Sequence, residues 1–168
     1  MHSSIEWKGY AVITGMLLFG VSRRDPRVVG LYDRHYSSAK NNKTIRHWLG
    51  YGITAPGETI TLMSADSTVL FVWLKQRYID NDQTGVNCAV FRNEGSILSS
   101  LIILEAERFA WERWPAERLY TYVDPNEIAS HNPGYCFKKA GWGLVRDEHR
   151  KPRLTTKGLL ILEKYPKE

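Results

Sequence analysis

Cysteine is scarce in this chain: Cys88 and Cys136 are the only two among 168 residues. They stand far apart, and neither belongs to a pair spaced like a zinc or redox motif, which excludes a disulfide-stapled scaffold. A reduced, cytoplasmic setting is the expectation that follows. Long apolar runs are missing too. The stretch from Ala11 to Val21 is interrupted by Gly15 and Gly20 and is too short to cross a bilayer. It lacks a basic leader and a small-residue cleavage site, so it reads as a buried strand and no membrane partner is expected. Internal repeats and low-complexity segments are absent, which removes the repeat architectures.

Acidic residues are the minority, 18 against 23 Lys and Arg, for a formal charge of +5. That balance favours an anionic partner. The chain is 43% hydrophobic and 12% aromatic, enough to bury one ordinary core, so residues 1–168 are read as a single domain.

The order of elements is that of a mixed sheet with covering helices. Met16 to Val21 reads as a strand, broken by a basic turn at Arg23-Arg24-Asp25-Pro26-Arg27. Arg34 to Trp48 is polar, basic and aromatic by turns, with little periodicity, and reads as a long loop or short helix on the surface. Pro56-Gly57-Glu58 makes a turn, after which Thr59–Met63 and Val69–Leu74 alternate as an antiparallel pair around Ala65-Asp66-Ser67. Asn87–Arg92 is apolar enough for a central strand. A helix follows over Ile97–Arg113, stopped by Pro115. Its spacing turns Leu98, Leu101, Ile102, Glu105 and Phe109 inward and Glu107, Arg108, Glu112 and Arg113 to water. Leu119–Val123 is a strand, Asn132–Ala140 a helical turn, and Gly143–Arg146 with Gly158–Glu163 a closing pair.

Two segments carry the most information. Thr121-Tyr122-Val123-Asp124-Pro125 is a strand ending in a carboxylate, and Asn132-Pro133-Gly134-Tyr135-Cys136-Phe137-Lys138-Lys139-Ala140-Gly141-Trp142 is a short helix closing on Ala-Gly-aromatic. Together they resemble the distal half of GNAT acyltransferases. That resemblance implies an α+β fold with a mixed, mostly antiparallel central sheet flanked by helices. The family's cofactor loop, Gln/Arg-x-x-Gly-x-Gly/Ala, brings backbone amides close to a pyrophosphate. Here Arg92-Asn93-Glu94-Gly95-Ser96-Ile97 matches it at Arg92 and Gly95, with Ile97 in place of the last small residue. Without the resemblance, the same junction reads as a strand-to-helix turn capped by Ser96.

The N-terminal half narrows the likeness. Asp33-Arg34-His35-Tyr36-Ser37, a basic loop, Pro56-Gly57-Glu58, the hairpin through Phe71-Val72-Trp73, then Phe91-Arg92-Asn93-Glu94 and the Asp124 and Tyr135 segment together resemble the Mom-type DNA-modification proteins of bacteriophages such as Mu. The likeness spans about residues 30–164 and rests on the order of short motifs. It implies conversion of adenine in duplex DNA to an N6-carbamoylmethyl derivative in the cytoplasm of an infected bacterium, shielding phage DNA from restriction. By position it places catalysis on His35, Tyr36, Asp124 and Tyr135 and the donor loop on Arg92, Gly95 and Ser96. It also implies iron, with His35, Tyr36 and Asp124 as candidate ligands.

The residues have readings of their own. A histidine beside a tyrosine in a loop is ordinarily a surface or packing residue, Asp124 before Pro125 is a common turn starter, and Tyr135 and Phe137 would ordinarily be core. The exocyclic amine of adenine is a weak nucleophile and is hard to reach in a duplex. Its chemistry therefore calls for positioning, a carboxylate base, base extrusion and aromatic stacking near a cationic track. Arg34, Lys40, Lys43 and Arg46, with Trp48 interleaved, are the candidate contacts to double-stranded DNA; Lys138, Lys139, Arg146, Arg150, Lys151 and Arg153 form a second basic cluster. The donor is either acetyl-CoA or glycyl-tRNA, the latter making a charged tRNA a second nucleic-acid partner. A homodimer is compatible with the chain. Two alternatives stay open: an acetyl-CoA-dependent N-acetyltransferase of small amines or peptides, and a noncatalytic DNA-binding domain.

Overall fold

The computed structural model describes residues 16–35, 38, 53–79 and 82–168. Among them are seven strands in one sheet and three helices. The strands are β1 (Leu18–Gly20), β2 (Gly57–Ser64), β3 (Val69–Gln76), β4 (Val86–Asn93), β5 (Leu119–Val123), β6 (Gly143–Leu144) and β7 (Leu160–Lys164). The helices are α1 (Pro26–Asp33), α2 (Ser99–Arg113) and α3 (Tyr135–Lys139). The sheet order is β1-β2-β3-β4-β5-β7-β6, antiparallel throughout except where β4 meets β5. This is the α+β architecture that the order of motifs predicts.

Side chains alternate across the sheet and so make two cores. On one face Leu62, Phe71, Trp73, Cys88, Leu119, Val123 and Leu162 pack under α2 and α3. On the other, Met63, Leu70, Val72 and Val90 pack against Val28, Leu31 and Tyr32 of α1. β4 is the middle strand and serves both.

The feature that shapes the rest is how β4 and β5 separate. Their parallel pairing covers only Val86, Cys88 and Asn87, set against Leu119, Thr121 and Tyr120. β4 then runs on to Asn93 with β3 alone for a partner. A bulge helps it turn away: Val72 pairs with Val90 and Trp73 with Cys88, leaving Ala89 as the extra residue. The two central strands form a wedge.

Several local expectations need correction. The basic segment after β1 opens a helix instead of a simple turn. Asp25 accepts the Arg27 backbone N–H at 2.9 Å, and Pro26 occupies the first helical turn, where its missing N–H costs nothing. β1 is shorter than the apolar run. α2 begins at Ser99 with Leu98 at its N-cap, so Ser96 is not the cap and Leu98 is half exposed.

Glu107 reverses its expected side. It is buried, and its carboxylate accepts the Trp142 indole N–H and the Lys164 ammonium, each at 2.7 Å. Both partners come from beyond β5, so the charge is satisfied by residues distant in sequence. The inward face of α2 runs through Ile102, Ile103, Ala106, Glu107 and Ala110. Tyr135 is exposed, because α3 turns Phe137 inward in its place.

Candidate functional site

The wedge between β4 and β5 collects the candidate residues that the structure describes. His35 follows α1, its backbone N–H bonded to the Tyr32 carbonyl at 2.8 Å and its ring parallel to that of Tyr32. The imidazole is buried against the far end of β4. Burial and the positive charge of Arg92 hold its pKa down at about 4, while a hydrogen bond with the Phe91 backbone pulls the other way. At neutral pH the ring is therefore uncharged, a form that can ligate a metal or exchange hydrogen bonds.

Asp124 lies immediately beyond β5, on the other arm of the wedge. It is nearly buried. Its carboxylate accepts the Asn126 N–H at 3.0 Å, and its carbonyl accepts the Glu127 N–H at 3.2 Å, so a tight turn through Pro125 fixes the side chain. Tyr135 opens α3 with its phenol in solvent. The turn before it requires glycine: Gly134 has φ of 76°, and a Cβ there would come within 2.3 Å of the Leu162 side chain.

The β4–α2 junction carries Arg92, Gly95 and Ser96. Arg92 and Glu94 form an ion pair, and Arg34 grips the same carboxylate through Nε and Nη2 at 2.8 to 3.1 Å. Between two guanidinium groups, the Glu94 carboxyl is held down at about 2. The Asn93 side chain organises the turn by accepting the Gly95 N–H at 3.0 Å and donating to the Ile97 carbonyl and the Ser99 hydroxyl. Gly95 has a packing reason to be glycine, since a Cβ would stand 2.4 Å from the Thr68 hydroxyl. Ser96 is exposed.

This junction does not fit the pyrophosphate of coenzyme A as it stands. The Glu94 and Gly95 amides are spent on the Thr68 carbonyl and on Asn93, and a carboxylate projects where a second anion would have to approach. An iron site is likewise not assembled by the described residues, among which no three His, Cys, Asp or Glu side chains cluster. Tyr36, the third ligand expected, lies outside the described residues, as do Lys40, Lys43, Arg46 and Trp48. Arg34, the one expected DNA contact that is described, is more than half exposed and bonded to Glu94.

Two residues escaped the sequence reading. Glu94 bridges Arg34 and Arg92, and its spacing of two from Arg92 at a strand end was the available signal. Asn87, in the middle strand beside Tyr120, buries a side-chain oxygen that has no hydrogen-bond partner. Nothing in the sequence marks it out.

Comparison with known proteins then places the fold. A solved structure described as a "putative phosphinothricin N-acetyltransferase" superimposes with a TM-score of 0.57 at 16% identity, covering 90% of this chain and 98% of its own. No family model matches, and no curated protein matches. The chain has a GNAT-like fold, a mixed sheet whose central strands part over a wedge.

Proposed function

We propose that this chain is an acyltransferase that modifies the N6 amino group of adenine in DNA. The observation that carries the reading is the wedge after Cys88, with His35 seated on the β4 arm and Asp124 fixed at the end of the β5 arm. The order of motifs shared with Mom-type proteins supplies the acceptor, and the basic surface of the exposed Lys139, Arg146, Arg150, Lys151 and Arg153 suits a phosphate-rich partner.

In this reading the N6 nitrogen attacks the carbonyl carbon of an aminoacyl ester carried by a charged tRNA. A nitrogen–carbon bond forms, the ester carbon–oxygen bond breaks, Asp124 takes the proton that N6 loses, and Tyr135 protonates the departing ribose oxygen. The neutral His35 ring orients the acceptor. Glycyl transfer gives an amide at N6, and the carbamoylmethyl group is its isomer, so a subsequent rearrangement conserves every atom.

The test is mass spectrometry of nucleosides from plasmid DNA of cells expressing the chain, with Asp124→Asn as the control. We expect a heavier adenine nucleoside that the variant fails to make, while folding and DNA affinity stay intact because the substitution alters proton handling and hardly any volume. The glycyl and carbamoylmethyl products share a mass, so fragment ions distinguish them. Modification by Asp124→Asn at the full rate removes the aspartate from the mechanism. Unmodified DNA from folded protein, with turnover of a small amine and acetyl-CoA, supports the activity named for the structural neighbour instead.

A further inference from the structure

We propose that Arg34 and Arg92 form a phosphate seat that Glu94 occupies in the resting chain, and that a phosphate group on an incoming ligand displaces the Glu94 carboxylate from both guanidinium groups. This inference stands on the geometry of the three side chains and holds whatever the acceptor is.

The two cations come from separate, rigid elements. Arg34 ends α1, and Arg92 lies near the end of β4. Their meeting point is a single carboxylate. Arg34 offers Nε and Nη2 side by side to both Glu94 oxygens, the same planar fork that receives two phosphate oxygens, and Arg92 adds a third N–H. Two cations against one anion leave the group with a net positive charge. A phosphodiester would conserve that charge on exchange, and a diphosphate would neutralise it.

Glu94 is placed to leave. Its backbone N–H stays on the Thr68 carbonyl at 2.8 Å and the next amide stays on Asn93, so rotation of the side chain alone empties the seat without moving the loop. The site is open to a dissolved ligand, with side-chain exposures of 54% for Arg34, 30% for Arg92 and 28% for Glu94. Protonation cannot release the carboxylate near neutral pH, since the two arginines keep it ionised down to about pH 2. Only a competing anion does so. This also accounts for the junction's poor fit to a pyrophosphate: the cradle is described with its internal anion in place.

The experiment measures binding of inorganic diphosphate and of a short DNA duplex, separately, to the full chain and to Glu94→Gln. Glu148→Gln, which removes the same charge from an exposed loop, sets the baseline for a simple change in net charge. The seat predicts that Glu94→Gln binds one of the probes tighter than that baseline by about tenfold, two exposed charge pairs being of that order. The gain should disappear when Arg34→Met is added. A gain for diphosphate alone assigns the seat to donor phosphates, and a gain for duplex alone assigns it to the nucleic-acid backbone. Glu94→Gln at the baseline for both probes, with a native circular dichroism spectrum and the same result from Glu94→Ser, overturns the proposal. So does a gain that survives Arg34→Met.

Discussion

Lys164→Met tests whether the buried carboxylate on α2 is a charge held by its partner. In the native chain Lys164 gives one hydrogen bond to Glu107 and another to the Ala140 carbonyl, both at 2.7 Å, and its ammonium stands 5.9 Å from the centre of the Trp111 ring. Methionine preserves most of the packing and removes all three. Glu107 then keeps only the Trp142 indole, with 4% of its side chain exposed. Breaking a buried pair on one side costs about 3–5 kcal/mol, and because Lys164 retains 14% exposure we take the lower end, about 3 kcal/mol. In a chain of this size that corresponds to a melting temperature lower by roughly 10 °C.

The pH dependence supplies the sign. Burial already raises the Glu107 pKa above its ordinary value, and Lys164 opposes that rise. Without the lysine the folded-state pKa climbs further, so on acidification the variant takes up its proton before the native chain does. The stability gap between the two must therefore widen as pH rises and narrow as it falls toward the acid range. Urea unfolding at pH 5 and at pH 7.5 measures both. A cost below about 1 kcal/mol, or a gap that grows on acidification, refutes the account of Glu107 as a buried carboxylate dependent on Lys164. Converting Glu107 to Gln as well should recover part of the loss.

Other expectations concern the wedge and its loop. The His35 imidazole should titrate near pH 4 by NMR, and native stability should fall between about pH 6.5 and 4, where the unfolded chain binds a proton that the folded chain refuses; His35→Gln should flatten that slope, and a midpoint above 6 would show the ring to be solvated. Gly95→Ala should destabilise by about 1–3 kcal/mol through contact with the Thr68 hydroxyl, and Thr68→Ala should recover much of it in the double variant by thermal unfolding.

Much of the frame was legible because its signals are local. The hairpin of β2 and β3 follows period-two alternation around a polar turn, and Pro115 stops α2 where expected. α1 was missed because Asp25-Pro26, a cap followed by a first-turn proline, sits among arginines and reads as a break. Glu107 was misplaced because charge predicts exposure unless a partner is known, and Lys164 is 57 residues away. The site was half legible. Asp124 and His35 were found from motif order, and both lie on arms of the wedge. The clamp on Glu94 was not found, since it depends on α1 folding back over the sheet to bring Arg34 to a strand end 60 residues later.

The two stacked indoles deserve a mechanical reading. Trp73 belongs to the half of the sheet before the wedge and Trp142 to the half after it, and their rings lie 6.3 Å apart and nearly parallel. Consecutive residues of α2 hold them, the Ala106 carbonyl taking one indole N–H and the Glu107 carboxylate the other. With so short a ladder between β4 and β5, the rivet of rings behind the crease sets how wide the front opens. Ring size at positions 73 and 142 is thus a remote control on which acceptors enter, exercised from a core that no substrate touches.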